Sequence, residues 1–228
     1  MAAYPLVLRD VRLQRGGRVL VSEANIEARA GELIALRGPS GSGKTTILRA
    51  IAGLDGFDAG AIEVGQARLE AGRAPDRAML HVLRRSVGLV FQFHCLFEHM
   101  SALQNVCLSP VHVYGKSAHE AAGRASELFK QLGVETRADA LPRELSGGEA
   151  QRVAIARALA VDPPVLLMDE PMASLDPPRR AELGAILQRL TAAGRTLVVT
   201  SHDEAFAQQF ATRILQIQDG KLVEPDRR

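Results

Sequence analysis

The chain has 228 residues and a formal net charge of +2 at pH 7, a balance that argues against a dedicated nucleic-acid binder. Hydrophobic residues make up 46% of it, which is enough to bury a sizeable core. No apolar run approaches the ~18–20 residues that a membrane-spanning helix needs, and the N-terminus has no signal-peptide pattern. We therefore expect a cytosolic protein, which requires a partner for any role at a membrane.

The chain begins with segments in which apolar and charged residues alternate. These segments are residues 6–13, 18–21 and 24–28. Alternation with a period of two is typical of half-buried strands, so we predict a small antiparallel sheet. Another short strand is predicted between Gly60 and Val64. Residues 66–80, rich in Ala, Arg, Gly and Asp, are expected to form an exposed connection.

A phosphate-binding loop is predicted at residues 38–45. Its sequence, Gly-Pro-Ser-Gly-Ser-Gly-Lys-Thr, fits the pattern G-x-x-x-x-G-K-[ST]. The apolar run 33–36 before the loop predicts a buried strand, and residues 46–52 after it predict a helix that ends before Gly53. The motif therefore has the strand–loop–helix setting that it requires, which argues against a chance Gly/Ser turn.

The residue types of this loop suit a phosphate group. Glycines let successive backbone N–H groups turn toward one point, where the N-terminus of the helix adds positive potential. The Lys44 ammonium would then reach the β- and γ-phosphates of a nucleotide, and the Thr45 hydroxyl would be a ligand of Mg²⁺.

A change of pattern follows the next predicted strand, residues 87–91, which ends at Gln92. Residues 93–160 show little strand pattern and are predicted to form a helical block inserted into the α/β core. The two cysteines of the chain, Cys95 and Cys107, lie in this block without metal-ligand spacing, so we expect free thiols.

Two capping boxes predict helix starts within this block. Ser117 with Glu120, and Ser146 with Glu149, each follow the S-x-x-E pattern. The second helix has glycines at 147–148 in its first turn, where each costs about 1 kcal/mol of helix propensity. Because glycines leave the backbone N–H groups open to a bulky ligand, we predict a second anion site at this helix start.

Two adjacent carboxylates follow a continuous apolar stretch, residues 165–168, which predicts a buried strand. Asp169 and Glu170 then lie at the carboxyl end of that strand, where α/β folds bind ligands. With a phosphate loop in the same chain, they are candidates for metal binding and general-base catalysis. A further strand predicted over 196–200 ends just before His202, which we place at the same sheet edge.

Taken together, these stretches resemble the ATP-binding subunit of ABC transporters, over nearly the whole chain and in the family's order. The matching stretches are Walker A (38–45), the Q-loop glutamine (Gln92), the signature motif (145–151), Walker B (165–169) with its catalytic glutamate (Glu170), the D-loop (174–176) and the switch histidine (His202). Walker A by itself would indicate only a nucleoside triphosphatase, whereas the complete set is specific to this family.

The resemblance implies an α/β fold: a P-loop NTPase (RecA-like) core with an N-terminal antiparallel β subdomain and an inserted α-helical subdomain. One domain would then span residues 1–228. Residues 1–92 and 161–228 would form its nucleotide-binding core, and residues 93–160 its helical subdomain.

The resemblance also implies ATP and Mg²⁺ as cofactors. Glu170 would orient or deprotonate the attacking water, and His202 would stabilise charge on the γ-phosphate, so that both are catalytic together with Lys44. The implied metal-binding residues are Thr45, Gln92 and Asp169. The implied nucleotide contacts are Arg15, Val19, Gly38, Pro39, Ser40, Gly41, Ser42, Gly43, Lys44, Thr45, Thr46, Ser146, Gly147, Gly148 and Glu149.

Partners follow from the same resemblance. Two copies would pair head to tail as a homodimer, with each ATP between residues 38–45 of one copy and residues 146–148 of the other. Closure on ATP and release after hydrolysis would drive permease subunits docked on residues 93–106. An extracytoplasmic solute-binding protein would complete the complex, and the chain would lie on the cytoplasmic face of the membrane without binding nucleic acid.

Two positions depart from the family's pattern. Arg15 stands where the family often has an aromatic residue that stacks on adenine. A guanidinium also stacks on a base, and Val19 is the alternative contact. Glu149 stands where many members have Gln. Because its charge would lie near the phosphates, we expect its carboxylate to point away from them.

The transported substrate is predicted from shorter stretches. Those that resemble the polar amino-acid importer branch are 83–92, 96–100, 105–106 and 110–111. The short chain also suits the lipoprotein-release and macrolide-efflux branch, so an exporter or lipoprotein-extracting complex is the alternative. A soluble relative acting on DNA or ribosomes would carry a long coiled-coil insertion or tandem cassettes, which this sequence lacks. Intact Lys44, Glu170 and His202 argue against an inactive regulatory cassette.

Overall fold

A ten-stranded mixed sheet runs through the computed structural model, which describes residues 5–173 and 175–225. The strands are β1 (Leu6–Arg15), β2 (Arg18–Ala28), β3 (Leu33–Arg37), β4 (Ala59–Val64), β5 (Ala67–Glu70), β6 (Val87–Val90), β7 (Val165–Met168), β8 (Thr196–Thr200), β9 (Arg213–Gln218) and β10 (Lys221–Val223). Their order across the sheet is β5-β4-β1-β2-β10-β9-β3-β8-β7-β6.

Helices cover both faces of this sheet. They are α1 (Lys44–Ile51), α2 (Arg77–Ser86), α3 (Ala102–His112), α4 (Ala118–Leu132), α5 (Gly147–Leu159), α6 (Pro177–Ala192) and α7 (Glu204–Phe210). One apolar core joins α3, α4, α5 and α6 to one side of the sheet, and a second core joins α1 to the other side and to the N-terminal strands.

The parallel half of the sheet positions the chemistry-bearing residues. Strands β6, β7, β8, β3 and β9 pair in parallel, and β7 and β8 are buried along their whole length. Continuous apolar strands are expected where both faces of a sheet are covered. The carboxyl ends of these strands meet at one edge, so the segments after β3, β6, β7 and β8 gather there.

The N-terminal half is antiparallel, as predicted, with two corrections. Residues 18–28 form the single strand β2 rather than two, because shifts in its register with β1 absorb the break in alternation. The expected exposed connection over 66–80 is wrong in part: Ala67 and Leu69 are buried on β5, and Asp76 caps α2. Two apolar positions at alternating spacing sufficed for a short strand within a polar composition.

The helical block is confirmed in the part of the chain that the structure describes between β6 and β7, which contains helices and turns and no strand. Both capping boxes form: Ser117 and Glu120 cap α4, and Ser146 and Glu149 cap α5. Among the described residues the cysteines are free, as predicted. Of the predicted D-loop, Ser174 lies outside the described residues.

Candidate active site

A cleft of about 340 Å³ opens at the carboxyl edge of the parallel strands. Its lining residues are Leu20, Ser40, Gly41, Gly43, Lys44, Thr45, Thr46, Gln92, Glu170, Ala173 and His202. The phosphate-binding loop, Gln92 after β6, Glu170 after β7 and His202 after β8 therefore share one cavity, as the topology requires of segments that leave the same sheet edge.

Glycine is required in the loop by close contacts as well as by backbone conformation. Gly38 and Gly43 have φ angles of 152° and 105°. A Cβ atom on Gly43 would lie 3.2 Å from side-chain atoms of Leu20 and Val21, and one on Gly38 would lie 2.7 Å from the Ser42 hydroxyl. Gly43 precedes α1 and offers no side-chain cap, so the first N–H groups of that helix are available to an anion.

The Lys44 side chain folds back over its own loop. Its ammonium donates to the carbonyl oxygens of Gly38 at 2.8 Å and Pro39 at 3.1 Å, and only 6% of the residue is exposed. Desolvation lowers the pKa of Lys44, while the charges of Glu170 and Asp169 oppose that shift. The carbonyl oxygens of the loop thus hold a largely buried cation.

Asp169 is the junction of three strands. Its Oδ1 atom accepts hydrogen bonds from the hydroxyls of Thr45 at 3.0 Å and Thr200 at 2.8 Å. Its backbone N–H donates to the carbonyl oxygen of Val90 at 2.9 Å. These bonds fix the carboxylate beside the phosphate-binding loop.

Thr200 is a functional candidate that the sequence analysis missed. Besides donating to Asp169, its hydroxyl accepts the backbone N–H of Glu170 at 2.8 Å. That contact holds Glu170 at a φ of 47°, a left-handed conformation that is uncommon for a residue other than glycine. The available signal was a hydroxyl at the last position of a buried strand that leads to this edge.

Glu170 and His202 meet next to Lys44. The His202 Nε2 atom lies 3.1 Å from Glu170 Oε1 and 3.2 Å from Lys44 Nζ, and the backbone N–H of His202 donates to Glu170 Oε2 at 3.3 Å. If the His202 ring carries its proton on Nδ1, Nε2 accepts a hydrogen bond from Lys44. Nε2 then has no proton to donate to Glu170 Oε1. The buried Oε1 atom then lacks a donor and is free to accept a proton.

The predicted signature residues lie apart from this cleft. Ser146 caps α5, its hydroxyl accepts the N–H of Glu149 at 3.3 Å, and residues 146–149 contribute nothing to the cleft lining. A Cβ atom on Gly147 would meet nothing within 4 Å. The start of α5 is therefore open at Gly147, whereas a Cβ atom on Gly148 would lie 3.6 Å from Arg179 Cδ, and one copy of the chain does not bring this helix start to the phosphate-binding loop.

The Glu149 carboxylate is bound by Arg137. Arg137 donates to both carboxylate oxygens, at 2.7 and 3.3 Å, and the Ser146 N–H donates to one of them at 2.7 Å. The side-chain hydrogen bond from Arg137, followed by the backbone bond from Ser146, lowers the pKa of Glu149 from 4.5 to about 2. The negative charge of Glu149, which replaces the family's more frequent Gln, is therefore paired with Arg137 of the same chain.

Arg15 and Val19, the two predicted base contacts, do not line this cleft. Arg15 donates to the carbonyl oxygens of Gln14 and Gly56 at 2.9 and 3.1 Å, and lies 3.5 Å from Asp55. It borders a separate cavity of about 680 Å³, which is larger but does not include the phosphate-binding loop. The cleft is lined instead by Leu20.

The segment after Gln92 is held by an arginine that sequence reasoning missed. His94 and Cys95 have φ angles of 59° and 50°, and Arg157 on α5 donates to their carbonyl oxygens at 2.8 and 2.6 Å. Burial lowers the pKa of the Arg157 guanidinium, which is nonetheless held by these two carbonyl groups. The turn that follows Gln92 is thus hydrogen-bonded to α5, the helix that begins at the predicted signature motif.

The three predicted metal-binding residues come together around the cleft. Thr45 and Gln92 line it, and Thr45 is hydrogen-bonded to Asp169. Within residues 5–173 and 175–225, no group of three or more His, Cys, Asp or Glu side chains is arranged to hold a metal ion.

Comparison with known proteins adds family information to this geometry. The family model described as ABC transporter matches residues 21–173. The L-cystine transport system ATP-binding protein of Escherichia coli is 40% identical over 210 residues, covering 91% of this chain and 84% of that protein. The arginine/ornithine transport ATP-binding protein of Pseudomonas aeruginosa is 40% identical over 228 residues, covering 97% and 90%.

Solved structures agree with the sequence matches. A dimeric post-hydrolysis state of an ATP-binding cassette bound to ADP and phosphate superposes with a TM-score of 0.85. It is 33% identical and covers 97% of this chain and 98% of its own. A dimeric bacterial ABC transporter cassette gives a TM-score of 0.83 at 34% identity, covering 95% and 96%. The predicted fold class is confirmed by these likenesses.

Replacing Thr200 with Val removes the hydroxyl between Asp169 and Glu170 while keeping the side-chain shape. We expect ATP turnover to fall about tenfold or more and stability to drop by about 1–3 kcal/mol, because a buried carboxylate and N–H lose a partner. Steady-state kinetics and urea unfolding would measure both. Thr200→Ser, which retains the hydroxyl, is the control, and equal turnover of the two variants would remove Thr200 from the site.

Replacing Glu149 with Gln tests the pairing with Arg137. A carboxylate with a lowered pKa stabilises the folded state above pH 4.5, and this contribution is lost as the pH falls through about 2. We expect Glu149→Gln to be less stable than the unaltered protein at pH 7, and the difference to shrink toward pH 3. Urea unfolding across that range measures it, with Glu135→Gln as the control. A difference independent of pH would contradict the pairing.

Proposed function

The chain is an ATP-binding subunit of the ABC transporter family, and from this premise we propose that it energises the import of polar amino acids. Its reaction is the hydrolysis of ATP to ADP and phosphate. Both transport proteins named above act on amino acids, which supports that substrate class. Residues 83–92 and 96–100 resemble the polar amino-acid importer branch, and this resemblance supports import as the direction of transport.

One observation carries the hydrolytic role: Lys44, Glu170 and His202 lie within 4.0 Å of one another in the cleft. The loop N–H groups and Lys44 would bind the β- and γ-phosphates. To do so, the ammonium would exchange the carbonyl groups of Gly38 and Pro39 for phosphate oxygens. Because a neighbouring anion favours the charged form of a lysine, phosphate binding would offset the desolvation that lowers the Lys44 pKa.

Glu170 is the proposed general base. Its Oε1 atom is buried, lacks a donor when His202 accepts from Lys44, and would orient or deprotonate the attacking water. In the other tautomer, with its proton on Nε2, His202 would donate a hydrogen bond to the γ-phosphate as charge develops there. Catalysis of this kind consists of positioning and electrostatic stabilisation. Two bonds therefore matter: the Glu170 N–H donates to the Thr200 hydroxyl, which fixes the Glu170 backbone, and the His202 N–H donates to Glu170 Oε2, which orients the carboxylate.

The oxygen donors beside the loop fit Mg²⁺, which prefers hard oxygen ligands and commonly takes few of them from the protein. Thr45, Gln92 and Asp169 would hold it, directly or through water. The ion would neutralise charge on the phosphates. Asp169 is already oriented for that task by two hydroxyl groups bonded to its Oδ1 atom.

We also propose that two copies act as a head-to-tail homodimer. The first N–H groups of a helix have no intrahelical partner, and the start of α5, with Gly147 and Gly148 in its first turn, lies outside the cleft of its own chain. Pairing would bring Ser146 and these glycines to the γ-phosphate bound by the partner. The dimeric state of the solved cassettes supports this arrangement.

The membrane role would come through permease subunits. Among the described residues, no helix is long and apolar enough to cross a membrane. The proposed docking surface is residues 93–106, on which Phe93 is 82% exposed and Phe97 is 45% exposed. Exposed aromatic side chains this close to Gln92 would link the permease to the nucleotide cleft. The chain would lie on the cytoplasmic face of the membrane, and an extracytoplasmic solute-binding protein would complete the complex.

Glu170→Gln tests the general base. Gln keeps the side-chain shape but accepts no proton, so we expect ATP binding to persist and turnover to fall about 10²–10⁴-fold. A nucleotide-bound dimer would then accumulate and be seen by size-exclusion chromatography with ATP. Glu135→Gln, an exposed substitution on the helical block, should leave turnover unchanged. Full turnover in Glu170→Gln would withdraw the catalytic role of Glu170.

Affinity capture of the tagged chain from solubilised membranes tests the transport role. We expect mass spectrometry to identify a polytopic permease and a solute-binding protein, whose ligand then names the amino acid. Phe93→Ser should lower the yield of permease, because it removes the exposed ring, whereas Val113→Ser, outside the docking surface, should not. A permease with a large extracytoplasmic domain would indicate export or lipoprotein release. Ribosomes or DNA without a permease would contradict transport.

A further inference from the structure

Arg180 joins two segments that leave the active-site edge of the sheet. It lies in the first turn of α6, where its Nε atom donates to the carbonyl oxygen of Leu175 at 2.8 Å. Its Nη1 atom donates to Asp203 Oδ2, also at 2.8 Å. One planar guanidinium therefore links the segment between β7 and α6 to the segment between β8 and α7.

Asp203 is held from two directions. Its Oδ1 atom accepts the N–H of Phe206 at 2.9 Å and thereby caps α7, while its Oδ2 atom receives Arg180. Its own N–H donates to the Ser201 hydroxyl at 3.0 Å. Since Asp203 directly follows His202, any displacement of Asp203 displaces the backbone that carries the imidazole.

His202 depends on this backbone for its position. Its side chain is 56% exposed, so packing does little to fix the ring. The contacts that locate it are those with Glu170 and Lys44 on one side and the anchored residues Ser201 and Asp203 next to it in the chain. The bond from the His202 N–H to Glu170 Oε2 is long, at 3.3 Å, and sensitive to a small shift.

We propose that Arg180 is a positioning residue for ATP hydrolysis. It holds the His202 side chain in place beside Glu170, and it couples the position of His202 to that of residues 175–176. The proposal rests on the catalytic role proposed above for His202. Leu175 and Asp176 follow the segment after Glu170, so a movement of that segment would reach His202 through the Arg180 side chain. Arg180 itself contacts neither Glu170 nor Lys44 in the described part of the chain.

A purely structural role predicts a different outcome. The Arg180 and Asp203 side chains are 39% and 20% exposed, and partly exposed ion pairs contribute little to stability. Loss of the pair should then change neither stability nor turnover by much. A positioning role predicts a fall in turnover that exceeds any loss of stability.

Arg180→Met keeps the aliphatic stem and removes both hydrogen bonds. We expect kcat for ATP to fall about tenfold, with KM and the urea midpoint of unfolding nearly unchanged, because the nucleotide contacts are untouched. Arg180→Lys retains a charge for Asp203 and should restore part of kcat. Arg189→Met, an exposed substitution near the other end of α6, is the matched control and should behave like the unaltered protein.

A double-mutant cycle separates the Arg180–Asp203 contact from independent effects. Asp203→Asn keeps the helix cap, since Asn caps as well as Asp does, but weakens the bond to Arg180. If both residues act through this contact, the double variant loses little more kcat than either single variant. Losses that multiply would overturn the proposal, as would a kcat of Arg180→Met equal to that of Arg189→Met.

His202→Ala distinguishes failure of this inference from failure of the proposed function. If His202→Ala hydrolyses ATP at the normal rate, the catalytic role of His202 is wrong and the proposal for Arg180 is overturned with it. If His202→Ala is slow while Arg180→Met is normal, the proposed function stands and only the role of Arg180 is rejected. If both are slow and the cycle is non-additive, Arg180 is a positioning residue.

Discussion

The carboxylate of Asp169 is the contact on which the active-site edge depends. Asp169 directly follows β7. Its Oδ1 atom accepts hydrogen bonds from the hydroxyl of Thr45 at the start of α1 and from the hydroxyl of Thr200 at the end of β8. Three segments with no sequence proximity are thereby fixed around a single atom. Because a buried carboxylate is costly unless it is hydrogen-bonded, the three segments stabilise one another.

The same edge of the sheet also holds groups in strained or desolvated environments. Glu170 adopts a left-handed backbone conformation, Lys44 is a buried cation bound by carbonyl oxygens, and Glu170 Oε1 is buried next to a histidine nitrogen. Strained backbone and unsatisfied polar groups persist only where the surrounding structure fixes them. In the proposed function, a bound polyphosphate would give Lys44 new partners and a water molecule would donate to Glu170 Oε1. The free energy of folding therefore maintains these strained and desolvated groups at the proposed active site.

The two proposed anion sites lie in different parts of the fold. The first lies at the carboxyl edge of the parallel sheet, and the second lies at the start of α5 in the helical block. Arg157 fastens the turn after Gln92 to α5, and Arg180 links the loops after β7 and β8. The turn beside the first proposed site is therefore hydrogen-bonded to the helix that begins at the second.

The sequence by itself determined the phosphate-binding loop, both capping boxes and the strand ends at Asp169 and His202, because each depends on backbone chemistry within about four residues. It did not determine the strand β5 or the continuity of β2, where short or irregular alternation is ambiguous until strands pair. Only the tertiary structure decided that Thr200 bonds to Asp169, since the parallel register of Met168 with Val199 sets these residues side by side. Partners of this kind depend on strand register and helix packing over long sequence distances, which local patterns do not encode.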